Sequence, residues 1–309
     1  KIMIRILLLL AGLLLLFFHS YILPLSSQIQ FVIFLVGIIL LGVPHGAADL
    51  LVANQTADHA KKNFSKFSFL LTYIGRLGLF ATILWLFPVI GNFLFIAFAA
   101  YHFGETDLHR FKTNKFAGKL FVFSYGLLIL GVILLQHFEE LKPMFALFES
   151  GRANEGMINF IDVNRYLILS ICAVFFFAGT FFYFATTGVD QSQSGYFLLQ
   201  LAVLLLLLYH LPMMVGFTFY FIVWHSVLSL TNIVVYLRRN NVYPPGTIVK
   251  QIVFYSCLAM AGVSLAGVGG FMFMNSNTIV VYVFLGLAVL TAPHMQIMHD
   301  MYNRLRLDK

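Results

Sequence analysis

The sequence predicts an all-α, polytopic transmembrane bundle of about ten helices, with the N- and C-termini both cytoplasmic and residues 1–309 forming one domain. Three observations predict it. The first is composition: 61% of the residues are hydrophobic and only 10% charged, and the mean hydropathy is +0.91. A soluble domain carries about 25% charged residues, so this chain lacks the polar surface that water requires. The second is a series of apolar stretches of spanning length. The third is the placement of basic residues in short loops on one side.

In chain order, the stretches run over about 4–23, 29–53, 68–87, 91–108, 117–136, 165–186, 195–211, 213–237, 250–272 and 277–298. Each has the ~20 residues needed to cross a hydrocarbon core of about 30 Å. The first follows Lys1-Ile-Met-Ile-Arg5 and is expected to be a retained helix, because no small-x-small cleavage site follows it. The seventh and eighth are divided only by Leu211-Pro212, since a proline cannot continue the hydrogen-bond ladder before it. A long loop over about 137–164 is acidic, with Glu139, Glu140, Glu149, Glu155 and Asp162.

With the N-terminus inside, fifteen of the nineteen Lys and Arg residues fall on the cytoplasmic side. Among them are Lys1, Arg5, Lys61, Lys62, Arg110, Lys115, Lys119, Arg238, Arg304, Arg306 and Lys309. Only Lys142, Arg152 and Arg165 fall outside, and Arg76 lies within the third stretch. The net charge of +7 is therefore a topology signal and gives no reason to expect a nucleic-acid partner. Cys172 and Cys257 lie in apolar runs without CxxC spacing, which indicates neither a disulfide nor a zinc site.

Ionisable residues inside spans are costly and mark function. His45, His102, His225 and His294 lie on the second, fourth, eighth and tenth stretches, all running outside to inside. The next basic residues, Lys61, Arg110, Arg238 and Arg304, are 16, 8, 13 and 10 positions further on. At about 1.5 Å per residue the four depths agree within about 12 Å. Imidazole suits iron, zinc, copper or nickel, and facing helices commonly build such sites in bundle cores. Asp49, four residues after His45, and Glu105, three after His102, share their histidines' helical faces. They are expected to anchor those rings or ligate directly.

Each histidine taken singly also reads as an interhelical tie. His19, His137 and His210 map to outer helix ends, and His59, His109 and His299 to inner ends or loops. Asp107 and Arg76 are expected to snorkel to the cytoplasmic interface. Trp85 suits an interfacial belt, while Trp224 lies deep enough to pack or line a cavity. Tyr101, Phe103, Phe217, Phe219, Tyr220 and Trp224 are the aromatic side chains expected to wall an apolar tunnel near the histidines.

The segments Gly42-Val-Pro-His45-Gly-Ala-Ala-Asp49, Tyr101-His102-Phe-Gly-Glu105-Thr-Asp107, Tyr220-Phe-Ile-Val-Trp224-His225-Ser226 and Ala292-Pro293-His294-Met295 resemble the Brp/Blh family of membrane β-carotene 15,15'-dioxygenases. The resemblance covers most of the chain. It implies Fe(II)-dependent cleavage of the central double bond of β-carotene by O2, giving two all-trans-retinal. It further implies a multi-pass protein of the cell inner membrane, with lipid, the carotenoid and O2 as partners and a retinal-binding rhodopsin as product acceptor. By motif, His45, His102 and His225 would hold the iron, with His294 as fourth ligand. Some relatives carry another histidine where this chain has Ser229, which leaves that fourth position open.

The main alternative is a His/Asp/Glu-based proton- or metal-coupled transporter. Its polar residues would track the full membrane depth, whereas here they gather in the cytoplasmic half. A di-iron hydroxylase would need HxxHH or HxxxH boxes, which are absent from the chain. Paired histidines on facing helices would also suit haem, and nothing in the spacing selects haem over bare iron.

Overall fold

The structure is a computed structural model that describes residues 2–146, 155–188, 191–239, 244–271 and 279–307. Lys1, Glu149, Arg152 and Lys309, which enter the charge pattern, lie outside the described residues. Among the described residues there are helices, short connections and no strand. The helices are α1 (Ile2–Ile22), α2 (Ser27–His59), α3 (Lys66–Leu86), α4 (Pro88–Asp107), α5 (Phe116–Leu135) and a short α6 (Phe138–Ala146). They continue with α7 (Glu155–Thr187), α8 (Gln191–His210), α9 (Met213–Leu237), α10 (Pro245–Phe271) and α11 (Ile279–Leu307).

Local chemistry sets the ends. The hydroxyls of Ser26 and Ser65 accept the amides of Ile29 and Ser68 and open α2 and α3. Pro88 occupies the first turn of α4, where its missing N–H costs nothing. Pro212 is extended (ψ 150°) and divides α8 from α9. The first free amide of α9, on Met213, is taken by Glu140 Oε2 at 3.0 Å.

Among the described residues, seven helices are long and apolar enough to cross a membrane: α1, α2, α3, α5, α7, α8 and α9. The protein is thus a multi-pass helical membrane protein. α4 is of similar length, but its last turns carry His102, Glu105 and Asp107.

One expectation is corrected in the region of 137–164. That segment is not an open loop throughout: α6 forms within it, and α7 begins at Glu155, about ten residues before the apolar stretch. An acid in the first turn favours a helix N-terminus. Arg165 bonds Glu139 (2.9 Å) and Asp162 (3.3 Å), and Lys142 pairs with Asp162, so α6 is pinned to the start of α7.

Two apolar cores flank the histidines. One joins α4, α5, α7, α8 and α9 around Phe121, Tyr125, Phe176 and Leu204. The other joins α2, α9, α10 and α11 around Val52, Ile233, Met298 and Met301. The α4–α5 seam is closed by small residues: a methyl group on Gly126 would collide with the Ala100 carbonyl oxygen, and one on Gly104 with that of Val122. Such backbone contact is how helices gain packing in lipid, where no hydrophobic force separates them from the solvent.

The seam makes a direct prediction. Gly126→Ala should destabilise the protein by about 1–3 kcal/mol, because backbone atoms cannot swing aside as a side chain would. A lowered unfolding temperature in detergent, with helix content retained at low temperature, is the expected reading. An unchanged transition would show that the helices are not in backbone contact.

Candidate metal centre

The four histidines come from α2, α4, α9 and α11. Two are delivered by π-helical turns that sequence periodicity does not reveal. Pro44 has no N–H for the carbonyl four residues back. The preceding segment Ile38–Gly42 is π-helical, and the Val43 amide bonds Ile38 O. Thr218–His225 is a second π-helical segment. At its end the Ser226 hydroxyl donates to Phe221 O, five residues back, at 3.0 Å. Wide turns of this kind shift the side-chain phase and recur at functional sites.

The result is a tight cluster. Ring centroids are 4.8 Å apart for His45–His294 and for His102–His225, 5.0 Å for His102–His294 and 5.5 Å for His45–His225. The four residues are 5%, 1%, 0% and 6% exposed for His45, His102, His225 and His294. One ring nitrogen from each of His45, His102 and His294 lies within 4.8 Å of the others. His225 stands beside this trio, its ring stacked on Phe221 and 4.8 Å from Phe103.

Hydrogen bonds assign the protons of two rings. His294 Nδ1 lies 2.7 Å from Asp49 Oδ1, so it donates and leaves Nε2 as the lone-pair nitrogen. The Tyr73 hydroxyl donates to the other Asp49 oxygen at 3.1 Å. His45 Nδ1 lies 3.2 Å from the Ser226 hydroxyl, whose own proton is on Phe221 O. That arrangement puts the proton on Nδ1 of His45 and the lone pair on Nε2. By contrast, both nitrogens of His102, both of His225 and Nε2 of His294 are buried without a hydrogen-bond partner. Buried nitrogens left unpaired cost about 1–3 kcal/mol each, and a transition-metal ion that prefers imidazole could take one lone-pair nitrogen from each ring. The donor set fits such an ion.

The acids do not sit where helical spacing puts them. Asp49 anchors His294 on another helix, not His45 on its own. Glu105 turns away from His102: it accepts from His299 Nδ1 (3.0 Å) and pairs with Arg306, which also bonds Thr113. A full cation across the helix seam outcompetes a neutral ring on the same face. Ser229, where some relatives carry a histidine, donates to Met298 Sδ at 3.9 Å.

Asp107 is a further correction. It does not snorkel; it is 3% exposed. Its carboxylate accepts from Tyr125 (2.7 Å), Tyr220 (3.1 Å) and Trp224 Nε1 (3.0 Å). Arg5 bonds its carbonyl at 2.7 Å and Gln200 at 3.0 Å, and lies over the Trp224 ring. Tyr220 and Trp224 are thus committed to this knot, and Tyr101 faces His299. Phe103 is at the histidines, and Phe217 reaches them through its stack on Phe221. Sequence reading missed Phe221, Ser226, Tyr73 and Arg5. Only Ser226, next to Trp224-His225, carried a positional signal.

Comparison with known proteins bears on this cluster. A family model described as Beta-carotene 15,15'-dioxygenase matches residues 36–302, which include all four histidines. A curated Beta-carotene 15,15'-dioxygenase from uncultured marine bacterium 66A03 is 24% identical over 264 residues, covering 84% of this chain and 89% of the relative. No solved structure matches.

The Asp107 knot is testable by itself. Asp107→Ala strands three buried donors and should cost about 3 kcal/mol or more. Asp107→Asn, which still accepts hydrogen bonds, should cost less. Unfolding in detergent followed through Trp224 fluorescence reads both; equal losses would mean the charge and its acceptor oxygens do nothing specific.

Proposed function

We propose, from the premise that the chain belongs to the beta-carotene 15,15'-dioxygenase family, that it cleaves the central double bond of β-carotene with O2 to give two all-trans-retinal at a histidine-held Fe(II). The observation that carries the reading is the convergence of four buried imidazoles, three of them with unsatisfied ring nitrogens, within the matched residues. In this reading His45, His102 and His294 hold the ion, and His225 is the fourth ligand. Asp49 holds His294 in the tautomer that presents Nε2, as carboxylates behind metal-bound histidines commonly do. Glu105 acts from further off, bracing α4 against α11 through His299 and Arg306. About ten spans with both termini cytoplasmic, in the inner membrane, complete the proposed topology.

Bound there, Fe(II) would supply the activation of dioxygen beside the electron-rich polyene. The chain's own residues supply position. Phe103 and Phe217, with Phe221 between Phe217 and His225, would line the polyene's path. Tyr101, Tyr220 and Trp224 would form its wall from behind. Choosing the central bond of a long symmetric hydrocarbon requires only that equal lengths fit on either side of the ion. An embedded site suits a substrate that resides in the bilayer, and the apolar surroundings keep water from the reacting carbon atoms. No protein base or nucleophile is required.

Metal analysis with a β-carotene cleavage assay tests the reading. The wild type should hold one iron per chain, and His45→Ala, His102→Ala and His225→Ala should lose the iron and at least ~100-fold in retinal formation. Full activity in those variants, or no iron in active protein, would sink it. Asp49→Asn should keep the fold while weakening metal affinity about 10–100-fold. Unchanged affinity would remove Asp49 from its assigned role.

A further inference from the structure

A second feature lies on the other side of α11 from the histidines. A cavity of about 780 Å³ opens between α3, α4, α11 and the start of α5. That is within the range of ligand sites, about 300–1,000 Å³. One part of its lining is apolar: Leu79, Phe80, Ile83, Leu94 and Phe98. Ala292, Met295 and Tyr101 adjoin it, and the charged or polar part holds Arg76, Lys119, Gln296 and Asp300, with His299 already bonded to Glu105.

Arg76 is the anomaly. It sits on the spanning helix α3, ten positions past Lys66, which is about 15 Å along the helix. It is exposed, and among the described residues it has no hydrogen bond or ion pair. An arginine in that position is costly unless something compensates its charge. Asp300 offsets one of the two cations in the lining and leaves a net positive charge. A neutral polyene or aldehyde would cover the apolar wall and leave that charge uncompensated. Free phosphate would meet the charge and leave the apolar wall unfilled. An amphiphilic anion meets both, and the bilayer holds such molecules. Basic pockets between spanning helices are sites for acidic lipid headgroups.

We propose that this cavity binds one anionic phospholipid, its phosphate on Arg76 and Lys119 and one acyl chain along Leu79, Phe80, Ile83, Leu94 and Phe98. The lining holds none of the four clustered histidines, though it shares Tyr101 with the wall assigned above to the polyene, and the proposal does not depend on the reaction proposed there.

The test uses the full chain purified in detergent and reconstituted in nanodiscs of phosphatidylglycerol or phosphatidylcholine, with bound lipid counted by mass spectrometry after delipidating washes. About one phosphatidylglycerol per chain should survive in the wild type and no phosphatidylcholine. Arg76→Gln with Lys119→Gln should retain at least tenfold less, while Arg76→Lys, which keeps the charge, should retain it. Leu79→Trp fills the apolar wall with the charges intact and should also lose the lipid. Equal retention in the wild type and the double Gln variant would overturn the proposal. So would equal retention of phosphatidylcholine, or displacement of the lipid by inorganic phosphate alone.

Discussion

Inside a hydrocarbon slab a polar atom without a partner costs several kcal/mol, because no water is at hand to take its place. This bundle meets that constraint by gathering its interior polar groups into three knots. Around Asp107, two hydroxyls and an indole N–H satisfy the carboxylate, and Arg5 ties the adjoining carbonyl to Gln200. Around Glu105, His299, Arg306, Asn303 and Thr113 form a closed set. The third knot, of His45, His102, His225, His294 and Asp49, is the least satisfied: five of its buried ring nitrogens have no partner, against Arg5 Nε in the Asp107 knot.

The first two knots also set the geometry of the third. Tyr220 and Trp224 bind Asp107 from the π-helical segment that ends at His225, so the α9 backbone is fixed on the side facing α4. Glu105, three residues after His102, holds α11 through His299, five residues after His294. Asp49 then closes the ring between α2 and α11. Each histidine has a tie to a neighbouring helix within a turn or two of itself. The four rings are mutually steep, with interplanar angles of 71–86° for the closest contacts, an orientation in which several lone pairs can point to one region.

How much of this was legible follows from what a one-dimensional pattern can encode. Depth was legible: apolar length and the next basic residue fix how far along its helix each histidine sits, and His45, His102, His225 and His294 do meet. Azimuth was not. Helical spacing assigned Asp49 to His45 and Glu105 to His102, yet both acids cross to α11, because the faces that oppose one another depend on packing. The π-turns before His45 and within Thr218–His225 change the phase by about one residue, and an α-helical wheel cannot anticipate that. Asp107 was misread for the same reason: nearness to a helix end says interface only if no neighbouring helix covers that end, and here Tyr125 and Trp224 do. The substrate and the iron were never in the spacing; they came with the family motifs.

Ring nitrogens of the histidine cluster make up half of the buried side-chain atoms without a partner among the described residues; Arg5 Nε, Gln55 Nε2, Thr180 Oγ1 and Tyr196 OH are among the others. Unsatisfied ring nitrogens on α4, α9 and α11 destabilise the protein, and an ion that binds the folded state alone would return stability by mass action. Such a site can persist only if the surrounding helices hold their places without it. The backbone contacts at Gly104 and Gly126 and the Asp107 and Glu105 knots provide that independence, since none of them includes a ring nitrogen of the four histidines. Ties of α4 and α11 that involve none of the four rings hold those rings in place without a ligand, and donors fixed in that way suit a bound ion.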